Sequence, residues 1–451
     1  MTGGSTPRSL PVRPPRKRLR LWILLIGLLA AALSGGRFLL TRQPTDPDRV
    51  WADAQSSLRA GQIDRARASL TRLTGLREPT PLDWMLRGQV ELAEGHIEEA
   101  LRALASVPDR HAIASQARLL AGQIELRRHR ARVAEQLLRD ALRLDPGLVQ
   151  AHRELIYILG YQLRRADLDA HFEALSRLAE LTFDNVFHWG LLHTAHWDPA
   201  SAIDELQRFI EADPEDRWSR LALAENYRRA GLIEQFESVI APLPADDPEA
   251  MAVRVMSLLD RHQAEQAERL LQSTPSDSAA LIRLKGRIAL AHRDASAAAR
   301  YFRRAEAKEP GNRETVFGLL NALSLLGDEQ AAAPLREKAK RIDELNSLME
   351  RVSAPGGRTD SNLLRSLGAA CAALGRVPEA RAWYRLALAL EPLDAESQQA
   401  LFRLQAKSAA ASRHPVAHET LAGDRPECHY QATSSMDHSP LLPAPTDQEG
   451  Q

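Results

Sequence analysis

Like residues recur at 34-residue intervals along this chain of 451 residues, and no other feature restricts its fold so strongly. In LGAACAALGRVPEARAWYRLALALEP, residues 367–392, small side chains stand at Gly368, Gly375, Ala380 and Ala387 around the ring of Tyr384, and Pro392 closes the segment. Upstream, AEGHIEEAL places Gly95 and Ala100 at 34 residues beyond Gly61 and Ala66 of RAGQIDRARASL. VAEQLLRDALRLDP and AIDELQRFIEADP lie 68 residues apart, so that Ala134, Leu138, Ala141 and Pro146 answer to Ala202, Leu206, Phe209 and Pro214. A further match, GRIALAHRDASAAARYFRRAEAKEP, supplies Gly286, Ala298, Phe302, Ala305 and Pro310. A fixed period of this length marks stacked supersecondary units, each unable to bury its apolar face alone.

Hydrophobic residues make up 44% of the chain and aromatic residues 5%, so the apolar content is mostly Ala, Leu, Val and Ile, a mix that favours helices over strands. Ten units are expected, starting at 47, 81, 115, 149, 183, 217, 248, 279, 313 and 361, with the one at 248 short and degenerate. The fit is uneven: Ile156, Leu168, Phe236 and Val255 stand where small residues are expected. SLMERVSAPGGRTD, residues 347–360, reads as an insertion with a Pro-Gly-Gly break. Residues 395–410 continue an amphipathic pattern suited to a capping helix, and residues 411–451, rich in proline with scattered His and Ser, are expected to be disordered.

The pattern resembles the tetratricopeptide repeat family, over roughly residues 47–394. The last unit fills the family positions with Leu364, Leu367, Gly368, Cys371, Gly375, Ala380, Tyr384, Ala387 and Pro392, and departs from them at Cys371, where the family commonly has Tyr. Trp84 with Gly88, and Leu223 with Ala224 and Tyr227, match in other units. The resemblance implies an all-α, right-handed α-solenoid of helix-turn-helix units. Small residues at each crossing let helix axes approach to about 8–10 Å, Tyr384 fills the space left, Gly375 allows the tight turn and Pro392 stops the second helix.

Residues 1–20 carry Arg8, Arg13, Arg16, Lys17, Arg18 and Arg20 with no acid, whereas Lys plus Arg equals Asp plus Glu, 59 each, over the whole chain. The balance gives no electrostatic case for nucleic acid. After this basic stretch, residues 21–40 form an apolar run interrupted at Arg37, long enough at about 1.5 Å per residue to span a bilayer of roughly 30 Å. The run also fits a cleaved signal peptide, but apolar residues resume after Arg37 and no A-x-A site precedes a polar start, which favours a signal anchor. The positive-inside rule then leaves residues 1–20 in the cytoplasm and the repeats on the periplasmic or extracytoplasmic side of an inner membrane. Cys371 and Cys428 are too few for a disulfide framework.

No phosphate-binding, metalloprotease, nucleophile-elbow or dinucleotide motif occurs, so a non-enzymatic chain without cofactor is expected. In FHWGLLHTAHWDP, His188, His193 and His196 share one helical arc, but Trp189 and Gly190 occupy repeat-framework places, so no metal is assigned. His414, His418, Cys428 and His429 in the tail make at best an adventitious metal site. The resemblance implies a concave groove lined by first helices. There Arg153, Tyr157 and Tyr161 form a stripe at i, i+4 and i+8, flanked by Gln123 and Arg127, Phe187 and Leu191, and Glu225 and Arg229. Arg with aromatic residues is the composition of protein-interface hot spots. The Lys and Asn set with which some family members clamp a carboxylate terminus is absent: Arg153, Arg283 and Arg365 stand at the lysine place. A membrane-anchored scaffold for a protein or peptide partner in the cell envelope is therefore expected. The alternative is binding of glycan or lipid-linked polymer in an export apparatus, which would need Trp189, Trp197 and Trp218 exposed.

Overall fold

The computed structural model describes residues 46–191, 200–272 and 277–411. The basic stretch, the apolar run 21–40, His193, His196, Trp197 and the tail beyond 411 lie outside them. The described residues form twenty-one α-helices and no strand, and none of these helices is long and apolar enough to cross a membrane. Two compact units divide the chain after Pro108.

The first unit holds α1 (Pro47–Arg59), α2 (Ile63–Thr74), α3 (Pro81–Ala93) and α4 (Ile97–Ala105). Asp46 caps α1, and a capping box between Thr80 and Asp83 starts α3, with Arg77 paired to the Asp83 carboxylate. Val50, Ala54, Leu70, Leu73, Leu86 and Val90 form the core.

The second unit begins with α5 (Ala114–Arg127), α6 (Ala131–Leu144), α7 (Val149–Tyr161), α8 (Arg165–Leu178), α9 (Phe183–Leu191) and α10 (Ala200–Ala212). It continues with α11 (Arg217–Arg229), α12 (Ile233–Ile240), α13 (Pro248–Asp260), α14 (Ala264–Gln272), α15 (Ala279–Ala291) and α16 (Ala295–Lys308). It ends with α17 (Arg313–Leu325), α18 (Glu329–Ser353), α19 (Ser361–Ala373), α20 (Val377–Leu390) and α21 (Ala395–Ala411). Asp216, Asp247, Ser278, Asn312 and Asp360 cap the first helices of their pairs through side-chain oxygens. The insertion lengthens α18, which buries Leu348, Met349 and Val352 before the chain turns at Gly356.

One spacing fixes how helices meet within a pair. A β-carbon added at Gly88 would lie 2.7 Å from Leu104, at Gly122 2.9 Å from Leu138, at Gly286 2.9 Å from Phe302 and at Gly368 2.9 Å from Tyr384. Each glycine thus faces the large residue sixteen positions later, and its missing side chain is the gap that residue fills. Where Ile156 replaces the glycine, its counterpart Phe172 is fully buried all the same. The turn between paired helices needs one left-handed residue, supplied by Gly61, Gly95, Gly231, Gly327 and Gly375 at φ between 70° and 80°. His129, Leu163, His262 and Arg293 adopt the same conformation without glycine.

Ala380 has no exposed surface at the crossing of α19 and α20, so Ala380→Leu is expected to destabilise the protein by about 1–3 kcal/mol through overpacking. Chemical denaturation measures this, and a loss under about 0.5 kcal/mol would show that the crossing has spare room.

The fifth pair breaks the pattern. Its second helix, α10, packs on α7 and α11, but its first, α9, makes its principal contacts with α20 and α18 at the far end of the chain. Gly190 shows the displacement directly: its added β-carbon would meet Met349 Cε at 2.8 Å and Glu379 Oε1 at 3.5 Å, not the residue sixteen positions on, Leu206. Within the second unit α9 therefore lies against the C-terminal helices α18 and α20.

Candidate interaction surface

The Arg153, Tyr157 and Tyr161 stripe runs along α7, but α10 covers much of it. Tyr157 donates its hydroxyl hydrogen to Glu205 Oε1 at 3.1 Å and sets its ring edge-on to Tyr161, 4.9 Å between centroids. Tyr161 in turn stands edge-on to Phe209 at 6.2 Å and is buried. Burial, and then the charge of Glu205, raise the pKa of both phenols, that of Tyr157 far above its usual range. His129 Nδ1 reaches the same Glu205 carboxylate at 3.1 Å. Among the described residues Arg153 makes no hydrogen bond or ion pair, so it is the member of the stripe best placed to meet a partner.

The flanking residues divide. Gln123 donates to Glu154 Oε1 at 3.1 Å, tying α5 to α7, while Arg127 is exposed. Glu225 is held between Arg228 and Arg229 at 2.8 and 2.7 Å, and the two guanidinium groups keep its carboxyl below the usual range despite its burial. Phe187 and Leu191 line no first-helix groove: they pack among Leu345, Leu348, Met349, Val352 and Trp383, because α9 has left the stack.

Sequence reasoning missed Arg165, at the first turn of α8. The residue is exposed, and its guanidinium makes no hydrogen bond or ion pair among the described residues. No chemical motif in the sequence marks it.

Of the tryptophans named for glycan stacking, Trp189 and Trp218 lie among the described residues, and both rings are already engaged. Trp189 is buried, lies parallel on Phe172 with centroids 5.4 Å apart and donates its indole N–H to Asp169 at 2.8 Å. Arg164 and Arg217 each lie over the Trp218 ring, at 4.7 and 4.3 Å from its centroid. His188 is buried as well, and burial lowers its pKa.

In the first unit a cavity of about 540 Å³ opens beside Trp84, Arg87, Arg67 and His96. Glu91, Glu94 and His96 there bring three potential ligand atoms within 4.8 Å of one another, but Arg67 already fills the centre, 2.9 Å from Glu91 and 3.0 Å from His96 Nδ1. A side-chain cation thus does the charge-balancing that a metal would do.

The contact of α9 with the C-terminal helices is the least satisfied place described. Glu379 is 1% exposed, yet neither carboxylate oxygen receives a hydrogen bond from nitrogen or oxygen, and the Arg376 guanidinium stands 3.7 Å off. His188 Nδ1 and Trp383 Nε1 are also buried without partners. Each such group costs about 1–3 kcal/mol relative to one that is paired. The neighbouring Cys371 thiol is pushed well above its usual range by burial and by the charge of Glu379.

No curated protein matches the chain. Among solved structures, the Cut9–Hcn1 hetero-tetramer of the APC/C shares 15% identity, with 87% of this chain and 96% of that one covered at a TM-score of 0.34. A tetratricopeptide repeat protein from Parabacteroides merdae shares 16% over 61% and 98%, at 0.27. Human IFIT1, as a dimer with PPP-AAAA, shares 14% over 84% and 85%, at 0.32. A family model described as tetratricopeptide repeat matches residues 85–149, 283–346 and 360–395. These segments, built of paired helices with glycine gaps at Gly88, Gly122, Gly286 and Gly368, are tetratricopeptide repeats.

Proposed function

We propose that this chain is a non-enzymatic scaffold, anchored in a cytoplasmic membrane by residues 21–40, whose repeats bind a protein or peptide on the extracytoplasmic side. The tetratricopeptide repeat fold is that of an interaction scaffold, which supports the protein partner. The observation that carries the reading is Arg153, unpaired among the described residues beside the edge-on Tyr157 and Tyr161 pair. Arg165, exposed and unpaired among the described residues, adds a second guanidinium, which suits a partner segment that carries acidic side chains. The basic residues 8–20 and the apolar run after them support the anchor and its orientation.

The test is a crosslinking pulldown from intact cells with wild type, Arg153→Ala and Arg153→Glu. Tyr157 is unsuitable as a probe because its removal would also break the contact with Glu205. A partner recovered with wild type is expected to fall about tenfold with Arg153→Ala and further with the charge reversal. Equal recovery from all three would place the binding surface elsewhere. Retention of the chain in the membrane pellet after carbonate washing tests the anchor separately.

A further inference from the structure

We infer that the face of α18 and α20 now covered by α9 is a second docking groove, distinct from the α7 stripe, and that α9 is its built-in occupant. The groove takes an amphipathic helix from a partner, carrying two rings one turn apart and a hydrogen-bond donor one turn beyond them. The chain's own helix displays most of this chemistry. Phe183 and Phe187 stack at 5.7 Å, and Phe183 meets Trp383 edge-on at 6.1 Å. Val186 and Phe187 are buried against Leu348, Met349 and Val352. Asp184 pairs with Arg358, whose guanidinium also lies 4.7 Å over the Phe183 ring.

What α9 does not supply is the polar half of the fit. Gly190 stands directly over Glu379 and brings no donor, so the buried carboxylate beneath it has only the weakly donating Cys371 thiol and the Arg376 guanidinium at 3.7 Å. A helix with Ser or another short donor at that place would satisfy Glu379 and displace α9, with the flexible end of Met349 giving way. The seam is also easy to part. Beside it, the approach of α8 to α20 leaves a cavity of about 780 Å³ lined by Leu178, Leu181, Arg381, Arg385 and Leu386. Trp189 holds α9 to Phe172 of α8, so α9 can stay with α8 while the C-terminal helices swing away.

The tethered α9 competes with any incoming helix at a high effective concentration, so its anchors set the apparent affinity of the groove. The probe is a fluorescent peptide of residues 182–191 with Gly190→Ser. The full chain with Phe183→Ala and Phe187→Ala is expected to bind it at least about tenfold more tightly than wild type does. A control peptide with Ser in place of both Phe183 and Phe187 should bind to neither. A second arm needs no core substitution: Asp184→Cys with Arg358→Cys, in a Cys428→Ser background, is joined by a cleavable bis-maleimide. Joining should abolish peptide binding and cleavage should restore it. Binding unchanged by joining, or no saturable binding to the cleaved chain, overturns the proposal. This holds whether or not the alanine variant folds, and neither outcome bears on Arg153.

Discussion

Replacing Phe302 by Ala is expected to cost about 3–5 kcal/mol, the largest stability loss of any single substitution considered for this chain. The ring has no exposed surface and reaches out from α16 between two glycines of different repeats. A β-carbon at Gly286 of α15 would lie 2.9–3.1 Å from it, and one at Gly318 of α17 would come closer still. One side chain therefore fills both the crossing within its own pair and the joint to the next pair, with Ala298, Leu319, Ala322 and Leu323 around it. Truncation leaves a cavity that rigid helix backbones cannot close. Because repeats unfold semi-independently, the loss should show first as faster amide exchange in α15, α16 and α17, and then in the denaturation midpoint. Gly318→Leu should destabilise the wild type by collision but recover at least about 1 kcal/mol in the Phe302→Ala background. A single-variant loss under about 1 kcal/mol would falsify the spacer role.

The glycine gap and its filling residue were legible because both are local: sixteen residues and one turn separate them, and four of the repeats carry the same pair. The same period locates first helices at Pro47, Pro81 and Arg217, where proline or a capping Asp adds a second signal. At His129, Leu163, His262 and Arg293 the left-handed turn was hidden, since a turn kept by its helices' contacts need not advertise itself with glycine.

The departure of α9 was illegible for a different reason. Its Trp189 and Gly190 stand where the family pattern expects them, and nothing within residues 183–191 marks a helix that leaves its stack. The decision is made by residues some 160 to 200 positions away: Met349, Val352 and Trp383 offer an apolar face, and Glu379 lies beneath Gly190. The groove stripe suffered through the same event: Phe187 and Leu191 were assigned by register to a surface that their helix had abandoned. Tyr157 and Tyr161 do stand together as their spacing required, but the acceptor that orients Tyr157, Glu205, comes from α10 and could not be read from α7 alone.

Acidification from pH 7 to pH 5 is expected to cost the α7–α8 pair about 2 kcal/mol through two facing histidines. His152 Nδ1 and His171 Nδ1 are 2.9 Å apart, and His152 Nε2 lies 3.2 Å from the Pro146 carbonyl oxygen. If His152 donates through Nε2 its Nδ1 is the acceptor, so His171 donates through Nδ1 and both rings are neutral. A proton added at His152 Nδ1 would set two N–H groups against each other, and one added at His171 Nε2 would leave the bond in place but put a charge into a largely buried ring beside Arg139. Burial, then the charge of His152 and of Arg139, lowers His171 from 6.5 to about 4, against the opposing pull of Asp167 and Glu135. Burial also lowers His152, partly offset by its bond to Pro146. The sign follows from the unfolded chain, whose histidines keep their ordinary value near 6.5 and take up protons first as pH falls. Stability from this pair is complete above about pH 6.5, declines through pH 5, and is lost by no more than about 3 kcal/mol once pH is below 4. Carboxylates elsewhere add their own pH dependence, so the measurement is a difference: urea unfolding of wild type and of His171→Gln, each at pH 7 and pH 5. His171→Gln should lower stability at pH 7 but respond to acid about 2 kcal/mol less than wild type. An equal response in the two proteins would mean that His171 is as free to ionise in the fold as in the unfolded chain.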